Sequence, residues 1–341
     1  MARNRLGRLV ALTAAALSLS ACAFIGIPDS PLNSLDPEGP FARRIDELFW
    51  PVFWVAVAVF ALVEGAVLVA ALLFRDRPGR REPRQVHGNT RLEIVWTVIP
   101  VAILAFIAVP TVRGVLDLTE CGPDAYPIEV IGHQWWFEYR YPEAGDIQTA
   151  NVMVIPAGRE ICAQMTSEDV LHNFWVPQLN GKRYLVPGQT TLLRLQADEP
   201  GLYQGQCAEF CGLSHSLMKA QVEAVTEAEF AEWLDRQAQP AAQPEEGTPA
   251  AAGLEVFLNR CVQCHTVEPF SVVADENFNG PNLTHFMDRG VLAGAYRDYS
   301  PENLAAWLAN PPKEKPGSFM PNLALTQQEI DALIAFLETL Q

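Results

Sequence analysis

Two long apolar runs, residues 48–74 and 93–116, constrain the fold of this chain most strongly. At about 1.5 Å per residue, a helix over either run is long enough to cross the ~30 Å hydrocarbon core of a bilayer. Because lipid offers the backbone no hydrogen-bond partners, both runs are predicted to be helical. Residues 75–91 between them contain six arginines and two acidic residues, a bias typical of cytoplasmic loops. The sequence therefore predicts a transmembrane helical hairpin within residues 40–118, with both flanks outside.

The first residues are typical of an export signal. Three arginines precede a short apolar run that ends in Leu-Ser-Ala-Cys at residues 19–22. The run is too short to span a bilayer, and its end resembles the bacterial lipobox, whose cysteine is acylated. We expect residues 1–21 to be a lipoprotein-type signal peptide and Cys22 to carry lipid. An ordinary signal peptide cleaved nearby is the alternative.

The part of the chain after the second span changes in pattern and in charge. Residues 122–235 contain roughly seven short β-rich runs separated by turn signals, which predicts an all-β Greek-key sandwich. Residues 236–252 are rich in proline and alanine and are predicted to be a flexible linker. Residues 253–341 are predicted to be all-α, with Ser300 as one N-cap and Thr326 with Glu329 as a capping box. Residues 120–341 carry 30 acidic and 12 basic residues, which disfavours nucleic acid as a partner.

The stretch 206–218, QCAEFCGLSHSLM, concentrates soft metal ligands. Cys207, Cys211, His215 and Met218 supply thiolate, imidazole and thioether groups, and this set suits copper. His172 in the upstream stretch DVLHNFWVP adds a second imidazole. A local disulfide or two buried apolar cysteines are the alternatives, but they leave the histidine and methionine unexplained.

Together these stretches resemble subunit II of the haem–copper cytochrome c oxidases, over roughly residues 40–235. The resemblance implies a cupredoxin fold that holds the binuclear copper centre CuA. It assigns the bridging Cys207 and Cys211, His172 and Met218 on one copper, and His215 with the Glu209 carbonyl on the other. The resemblance also implies that the Glu209 side chain faces subunit I and helps to bind magnesium there.

Two further stretches, GHQWWFEYRYP and LEIVWTVIP, extend this resemblance. It implies that Trp135 takes in electrons for CuA and that Glu93 admits protons to a channel of subunit I. Core packing of the indole is the alternative for Trp135, and simple termination of the span is the alternative for Glu93. Glu64 lies well inside the first span, where an ionisable group usually faces protein or water, and the resemblance gives it no role.

The sequence CVQCH at 261–265 is the attachment signature for haem c. Its two thiols bind the haem and its histidine ligates iron, which assigns Cys261, Cys264 and His265. The stretches GPNL and KPGSFMP resemble loops of class I cytochromes c and imply Met320 as the second axial ligand. His285 and Met287 are weaker candidates for that ligand. A zinc site would need a second ligand pair nearby. The two remaining cysteines, Cys121 and Cys162, are free to pair in an oxidising compartment.

These observations favour one function, the electron-transfer subunit II of a proton-pumping oxidase with a fused cytochrome c, the caa3-type arrangement. Electrons would pass from a donor, cytochrome c or a quinol–cytochrome c reductase, through haem c and CuA to subunit I, where oxygen is reduced. The chain would be an oxidoreductase and translocase only as part of that complex, with subunit III as a further partner. It would lie in the bacterial cell membrane with both termini and both redox domains on the outer face. The linker would let the haem domain swing.

Three other functions are weighed against this one. A CuA subunit of a nitric oxide reductase is less favoured because Glu93 matches a proton-uptake site. A copper-handling membrane lipoprotein would need no haem. A quinol oxidase subunit lacks the copper ligands present in this sequence.

Overall fold

The computed structural model describes residues 30–75, 79, 85, 87–273 and 280–341. It begins with two long helices, α1 (Pro40–Leu73) and α2 (Thr90–Asp117). Both are long and apolar enough to cross a membrane, and both begin or end a few residues outside the predicted spans. Most of their apolar side chains are exposed within the chain itself. This surface therefore suits contact with lipid or with other subunits.

The outer ends of the two helices are tied to the next domain. Arg43 at the start of α1 forms an ion pair with Asp198, and the Glu38 backbone bonds with residues 178 and 198. Arg194 pairs with Glu160 at 2.8 Å and donates to the Asp117 carbonyl oxygen at 2.6 Å. These contacts hold the domain at the end of the hairpin opposite the arginine-rich loop.

That domain is a two-sheet sandwich, as predicted, but with ten strands where about seven runs were expected. The strands are β1 (Tyr126–His133), β2 (Trp136–Tyr141), β3 (Ile147–Ala150), β4 (Val152–Pro156), β5 (Ile161–Ser167), β6 (His172–Trp175), β7 (Arg183–Leu185), β8 (Thr191–Leu195), β9 (Gly201–Cys207) and β10 (Lys219–Val225). One sheet has the order β3-β2-β1-β5-β8 and the other β4-β10-β9-β6-β7. Several strands are only three to five residues long, which is why the sequence pattern merged or missed some of them.

Aromatic and aliphatic side chains from both sheets fill the sandwich. Phe137, Tyr139 and Phe174 are fully buried, and Phe137 meets Phe174 edge to face at 5.2 Å. The buried Tyr141 hydroxyl donates to the Val154 carbonyl oxygen and accepts from the Val154 amide, both at 2.9 Å. Cys121 and Cys162 form a disulfide, so the pairing considered from the sequence is present in the structure. The sandwich is thus a rigid platform for the loops at its rim.

A helical domain closes the chain and matches the predicted fold class. After α3 (Glu227–Gln237), the elements are α4 (Pro249–Arg260), β11 (Val291–Leu292), β12 (Arg297–Asp298), α5 (Pro301–Ala309), α6 (Pro311–Glu314) and α7 (Gln327–Leu337). Ser300 caps α5, and Thr326 with Glu329 forms the expected capping box on α7. Helices α4 and α7 pack together through Phe257 and Phe336, whose ring centroids lie 5.5 Å apart.

The segment expected to be a linker is partly structured. Helix α3 reaches residue 237 and α4 begins at Pro249, so the connecting stretch is 238–248. Within it, the Ala241 amide donates to the Glu268 carbonyl oxygen at 2.7 Å, and Ala241 is buried. Part of this stretch therefore lies against the helical domain.

Candidate functional site

The rim of the sandwich brings the predicted soft ligands to one point. The Sγ atoms of Cys207 and Cys211 lie 3.8 Å apart. Cys207 Sγ lies 4.0 Å from His172 Nδ1, and Cys211 Sγ lies 3.6 Å from His215 Nδ1. The Met218 sulfur is 3.9 Å from Cys211 Sγ. Four of the five side chains are buried and His215 is half-buried. The sequence-predicted ligand side chains are therefore all assembled.

This arrangement fits a thiolate-bridged metal centre. Metal–thiolate bonds are about 2.3 Å long. The two sulfurs, which lie 3.8 Å apart, can therefore both bond to a metal placed between them. The Glu209 carbonyl oxygen lies 3.2 Å from Cys207 Sγ, which places a hard ligand beside the soft set. His172 Nδ1 and the Glu209 carbonyl oxygen lie nearest to Cys207 Sγ, and His215 Nδ1 and the Met218 sulfur lie nearest to Cys211 Sγ, so further ligand atoms surround both thiols.

The pKa values of the Cys207 and Cys211 thiols shift in opposite directions because the two thiols are hydrogen-bonded to each other. The pKa of Cys207 is lowered because the Cys211 thiol donates to it, with further help from His172. The pKa of Cys211 is raised because it shares that hydrogen bond and is buried. The first thiol therefore ionises readily, as a metal ligand must.

Secondary structure explains why these residues meet. Cys207 ends β9, the next residues form the loop, and His215 begins a 3-10 turn, His215–Leu217, that leads to Met218 and β10. His172 begins β6, which pairs with β9 so that Phe174 lies opposite Cys207. A Cβ at Gly132 would lie 2.8 Å from the His172 ring, so the close packing of this imidazole requires glycine on β1.

Asp169 is a site residue that the sequence reasoning missed. Its Oδ1 lies 2.8 Å from His172 Nε2, while its Oδ2 accepts from the Gln134 amide at 2.6 Å. The pKa of His172 is raised: burial lowers it, but hydrogen bonding to Asp169 and Cys207 outweighs burial. Bonding to Nε2 leaves Nδ1 toward Cys207, and such outer partners orient metal-ligating histidines. The signal was the spacing D-V-L-H, three residues before the ligand.

Trp135 lies directly beside the candidate copper ligands. Its indole N–H donates to the Cys211 carbonyl oxygen at 2.9 Å, and the Gln134 side-chain amide donates to the same oxygen at 2.6 Å. The ring is buried, and the Phe319 ring of the C-terminal domain stacks on it with centroids 6.0 Å apart. The structure thus places this tryptophan between the copper ligands and the second domain.

The other predicted site residues lie elsewhere. Glu93 sits in the first turn of α2, where its carboxylate accepts from the Asn89 amide at 3.3 Å. The Glu209 side chain is half-buried and hydrogen-bonds to Tyr184, raising the pKa of that hydroxyl. Glu64 is exposed on α1. Cys22 and residues 1–21 lie outside the described residues.

The haem attachment residues lie in the turn after α4. Cys261 and Cys264 are free thiols, and burial raises the pKa of both. His265 Nδ1 lies 2.9 Å from the Pro281 carbonyl oxygen, which can only accept, so this nitrogen donates. That tautomer leaves Nε2 with a free lone pair. Burial also lowers the pKa of His265, which favours the neutral form that an iron ligand needs.

Arg289 gives an independent test of whether the domain suits haem. This arginine is buried, it donates to the Asn282 carbonyl oxygen, and its Nε has no hydrogen-bond partner among the described residues. Its positive charge also contributes to lowering the pKa of His265, so the two groups are neighbours. An unused buried cationic donor suits the propionate carboxylates of a haem. The sequence reasoning missed this residue.

The candidate axial ligands differ in their surroundings. Met320 packs at the edge of the same apolar cluster as Cys261. His285 instead uses both ring nitrogens, at 2.8 Å from the Gln341 carbonyl oxygen and 3.0 Å from the Gln239 carbonyl oxygen. Met287 belongs to a 3-10 turn, Met287–Arg289, and also borders the cluster. His285 therefore serves as a structural tie between chain segments.

Comparison with known proteins adds three matches to family models. These are "Cytochrome C oxidase subunit II, transmembrane domain" over residues 31–113, "Cytochrome C oxidase subunit II, periplasmic domain" over 147–225, and "Cytochrome c" over 250–341. Among solved structures, the periplasmic domain of subunit II of cytochrome oxidase (CoxB) of Bradyrhizobium japonicum is 28% identical, with a TM-score of 0.34. It covers 35% of this chain and 96% of its own.

Several curated proteins are similar over much of the chain. Cytochrome c oxidase subunit 2 of Alkalihalophilus pseudofirmus is 37% identical over 98% of this chain and 97% of that protein. Cytochrome c oxidase subunit 2 of Bacillus sp. strain PS3 is 33% identical over 79% of this chain and 80% of that protein. Quinol oxidase subunit 2 of Bacillus cereus is 36% identical, but over 65% of this chain and 78% of its own length. The near full-length match and the three family models show that this membrane protein belongs to the cytochrome c oxidase subunit II family and carries a C-terminal cytochrome c domain.

Proposed function

We propose that this chain receives electrons in its cytochrome c domain and passes them through a binuclear copper site in its sandwich domain to subunit I of a proton-pumping oxidase. One observation carries the proposal: two buried thiols, two imidazoles and a thioether converge on one point beside a domain that holds a haem attachment signature. When bound, copper and haem supply the groups that accept and release single electrons.

The chain's own residues hold the copper ligands in fixed positions. When copper is bound, Cys207 and Cys211 would hold both ions, His172 and Met218 would complete one ion, and His215 with the Glu209 carbonyl would complete the other. The ligands sit on strand ends and a short loop packed against a buried core. Ligands that move little between redox states reduce the rearrangement that each electron transfer needs. The rigid sandwich therefore favours fast transfer.

In the cytochrome c domain, Cys261 and Cys264 would attach haem, and His265 and Met320 would hold its iron. The hydrogen bond from His265 to the Pro281 carbonyl fixes the imidazole orientation. Arg289 would pair with a propionate, which would give its unused Nε a partner.

The remaining roles concern the assembled oxidase. Glu93, beside the arginine-rich loop, leads protons toward subunit I, and the Glu209 carboxylate shares a magnesium ion with that subunit.

The arginine-rich loop faces the cytoplasm, so both redox domains lie outside, and lipid on Cys22 adds an anchor. Subunits I and III contact the exposed faces of α1 and α2. The acidic outer part binds a basic electron donor with salt-sensitive kinetics, because exposed charges are screened by ions.

The test uses the purified oxidase complex and matched methionine variants. Met218→Leu removes a proposed copper ligand, while Met153→Leu changes an equally buried methionine in β4 whose partner Val222 pairs with Tyr203, four residues before Cys207. We expect wild type and Met153→Leu to give an electron paramagnetic resonance signal from one electron shared over two coppers. Met218→Leu should alter that signal, and Cys207→Ser should abolish it while the haem c absorption bands remain.

Mononuclear copper or no copper in the wild-type complex would refute the binuclear site. Absence of covalently bound haem after denaturation would refute the role of the cytochrome c domain. The two centres are thus tested separately.

A further inference from the structure

The cytochrome c domain lies against the sandwich domain at Trp135. Val291 and Ala295 of the C-terminal domain are buried in the core cluster of the sandwich. The Lys219 amide at the start of β10 donates to the Gly294 carbonyl oxygen at 2.9 Å. The contact between the domains therefore includes both apolar burial and backbone hydrogen bonding.

Lys315 is the polar centre of this contact. Its side chain is buried, with the residue 3% exposed. Its Nζ donates to the Trp135 carbonyl oxygen at 2.5 Å and to the Ala293 carbonyl oxygen at 2.6 Å. Burial lowers the pKa of Lys315 to about 7. Charged or neutral, the amine can donate to both carbonyls, so the contact does not require one protonation state.

Neighbouring residues complete the fit. The fully buried Ser214, in the copper-ligand loop, donates from Oγ to the Pro316 carbonyl oxygen at 2.5 Å. Gly317 has φ +82°, and a Cβ there would lie 2.7 Å from Trp135 Cη2, so this close approach needs glycine. The Phe319 ring then stacks on Trp135 with an interplanar angle of 11°. One short loop, residues 315–319, thus contacts both the copper-ligand loop and the tryptophan beside it.

We infer that Lys315 is a positioning residue that locks the cytochrome c domain onto the sandwich domain, with Phe319 stacked on Trp135. This inference rests on the proposed function. In the locked state Trp135 is 6% exposed, so an external donor cannot touch it. Electrons from such a donor must therefore enter through the cytochrome c domain and cross at the Phe319–Trp135 contact. The connecting stretch 238–248 then joins two docked domains and does not act as a swinging tether.

The test separates docking from electron transfer. A specific protease site is inserted between the exposed Glu246 and Gly247 in the purified oxidase complex. After cleavage, gel filtration at low micromolar concentration shows whether the cytochrome c fragment stays with the complex. We compare wild type, Lys315→Met and the matched control Lys313→Met, whose side chain is exposed. The same assay is run on copper-depleted complex.

We expect the wild-type and Lys313→Met fragments to be retained, with or without copper. Lys315→Met leaves the buried Trp135 carbonyl and the partly buried Ala293 carbonyl without this donor and should weaken retention by at least about tenfold. Covalent haem and an unchanged haem spectrum in the Lys315→Met fragment confirm that this domain is folded. Release of the wild-type fragment would overturn the locked state, and equal retention of Lys315→Met would overturn the role of Lys315.

A second readout follows electron transfer in the uncleaved chain. After photoreduction of the haem, Lys315→Met should slow reduction of the copper site, while Lys313→Met should not. Phe319→Leu should slow electron transfer from haem to copper while leaving retention of the cytochrome c fragment unchanged. That result would assign the Phe319–Trp135 contact to the electron-transfer route. Unchanged transfer in Phe319→Leu would overturn that route. If the wild-type complex lacks binuclear copper, the proposed function is wrong. Retention or release of the cytochrome c fragment in copper-depleted complex would still decide whether the two domains are docked.

Discussion

Asp169 offers a sharp test of how the copper site is held. Asp169→Asn keeps the size of the side chain but removes its negative charge, and Asp169→Ala removes every side-chain contact. The carboxylate bonds to His172 Nε2 at 2.8 Å and accepts from the Gln134 and Val170 amides, both at 2.6 Å. The asparagine variant therefore removes the charge from the bond to the imidazole, and it also replaces one of the two acceptor oxygens by an NH2 group that cannot accept from a backbone amide.

The size of the effect follows from these bonds. A hydrogen bond to a charged group contributes about 1.5–3 kcal/mol, and about 1.4 kcal/mol corresponds to a tenfold change in affinity. Loss of an outer partner of a metal-binding histidine typically weakens metal affinity by about 10–100-fold. We expect Asp169→Asn to retain copper about tenfold less well than wild type, and Asp169→Ala about 100-fold less well.

The assay is a chelator titration of the purified complex, with the binuclear copper signal as the readout. Glu168→Gln, which neutralises the adjacent exposed carboxylate, is the control and should match wild type. Altered copper hyperfine structure in Asp169→Asn would show that His172 has turned, an effect that simple destabilisation would not produce. If both Asp169 variants hold copper as tightly as wild type, Asp169 does not orient His172.

Three further changes have defined outcomes. Met320→Leu should change the reduced haem c spectrum, whereas Met287→Leu should not; the opposite result would exchange their roles. Replacing Cys121 and Cys162 together by serine opens a loop with a sequence separation of 41 residues, and denaturant titration should show a loss of about 2–4 kcal/mol of unfolding free energy; wild-type stability in this variant would contradict the prediction. Tyr141→Phe leaves the buried Val154 amide and carbonyl of β4 without their hydroxyl partner, so it should lower the unfolding free energy by about 1–3 kcal/mol. An unchanged denaturation midpoint would contradict this prediction.

The sequence predicted the clustering of the candidate copper ligands best where they are close together in the chain. Cys207, Cys211, His215 and Met218 fall within one loop, so few conformations are needed to bring them to one point. His172 lies 35 residues before Cys207; its residue type made it a candidate, and the family resemblance assigned it to the same site. The pairing of β6 with β9, which brings the histidine in, has no local sequence signal.

Two charged residues that act through other residues could not be predicted. Arg289 and Lys315 derive their importance from burial and from tertiary contacts, and sequence patterns reveal neither. Asp169 differs, because its spacing from His172 was a signal that the sequence reasoning missed. Lys315 lies 180 residues from Trp135, whose carbonyl it contacts. Composition also marked residues 236–252 as a linker, since proline and alanine are common in linkers. Yet Pro249 begins α4, because proline is equally suited to the first turn of a helix.

The surroundings of Trp135 favour the proposed transfer role over core packing alone. A buried indole N–H usually finds a partner, but here the partner is the carbonyl of the candidate ligand Cys211, and a ring from another domain stacks on the indole. Glycines allow close approach from both sides: a Cβ at Gly212 would lie 3.0 Å from Trp135 Cζ2, and one at Gly317 would lie 2.7 Å from Cη2. Both glycines have positive φ, so the backbone there also disfavours any other residue. The chain thus places restricted positions in two domains around one indole, and the loops carrying the candidate metal and haem ligands both contact it. Packing alone does not explain that convergence, whereas a short route between the two sites does.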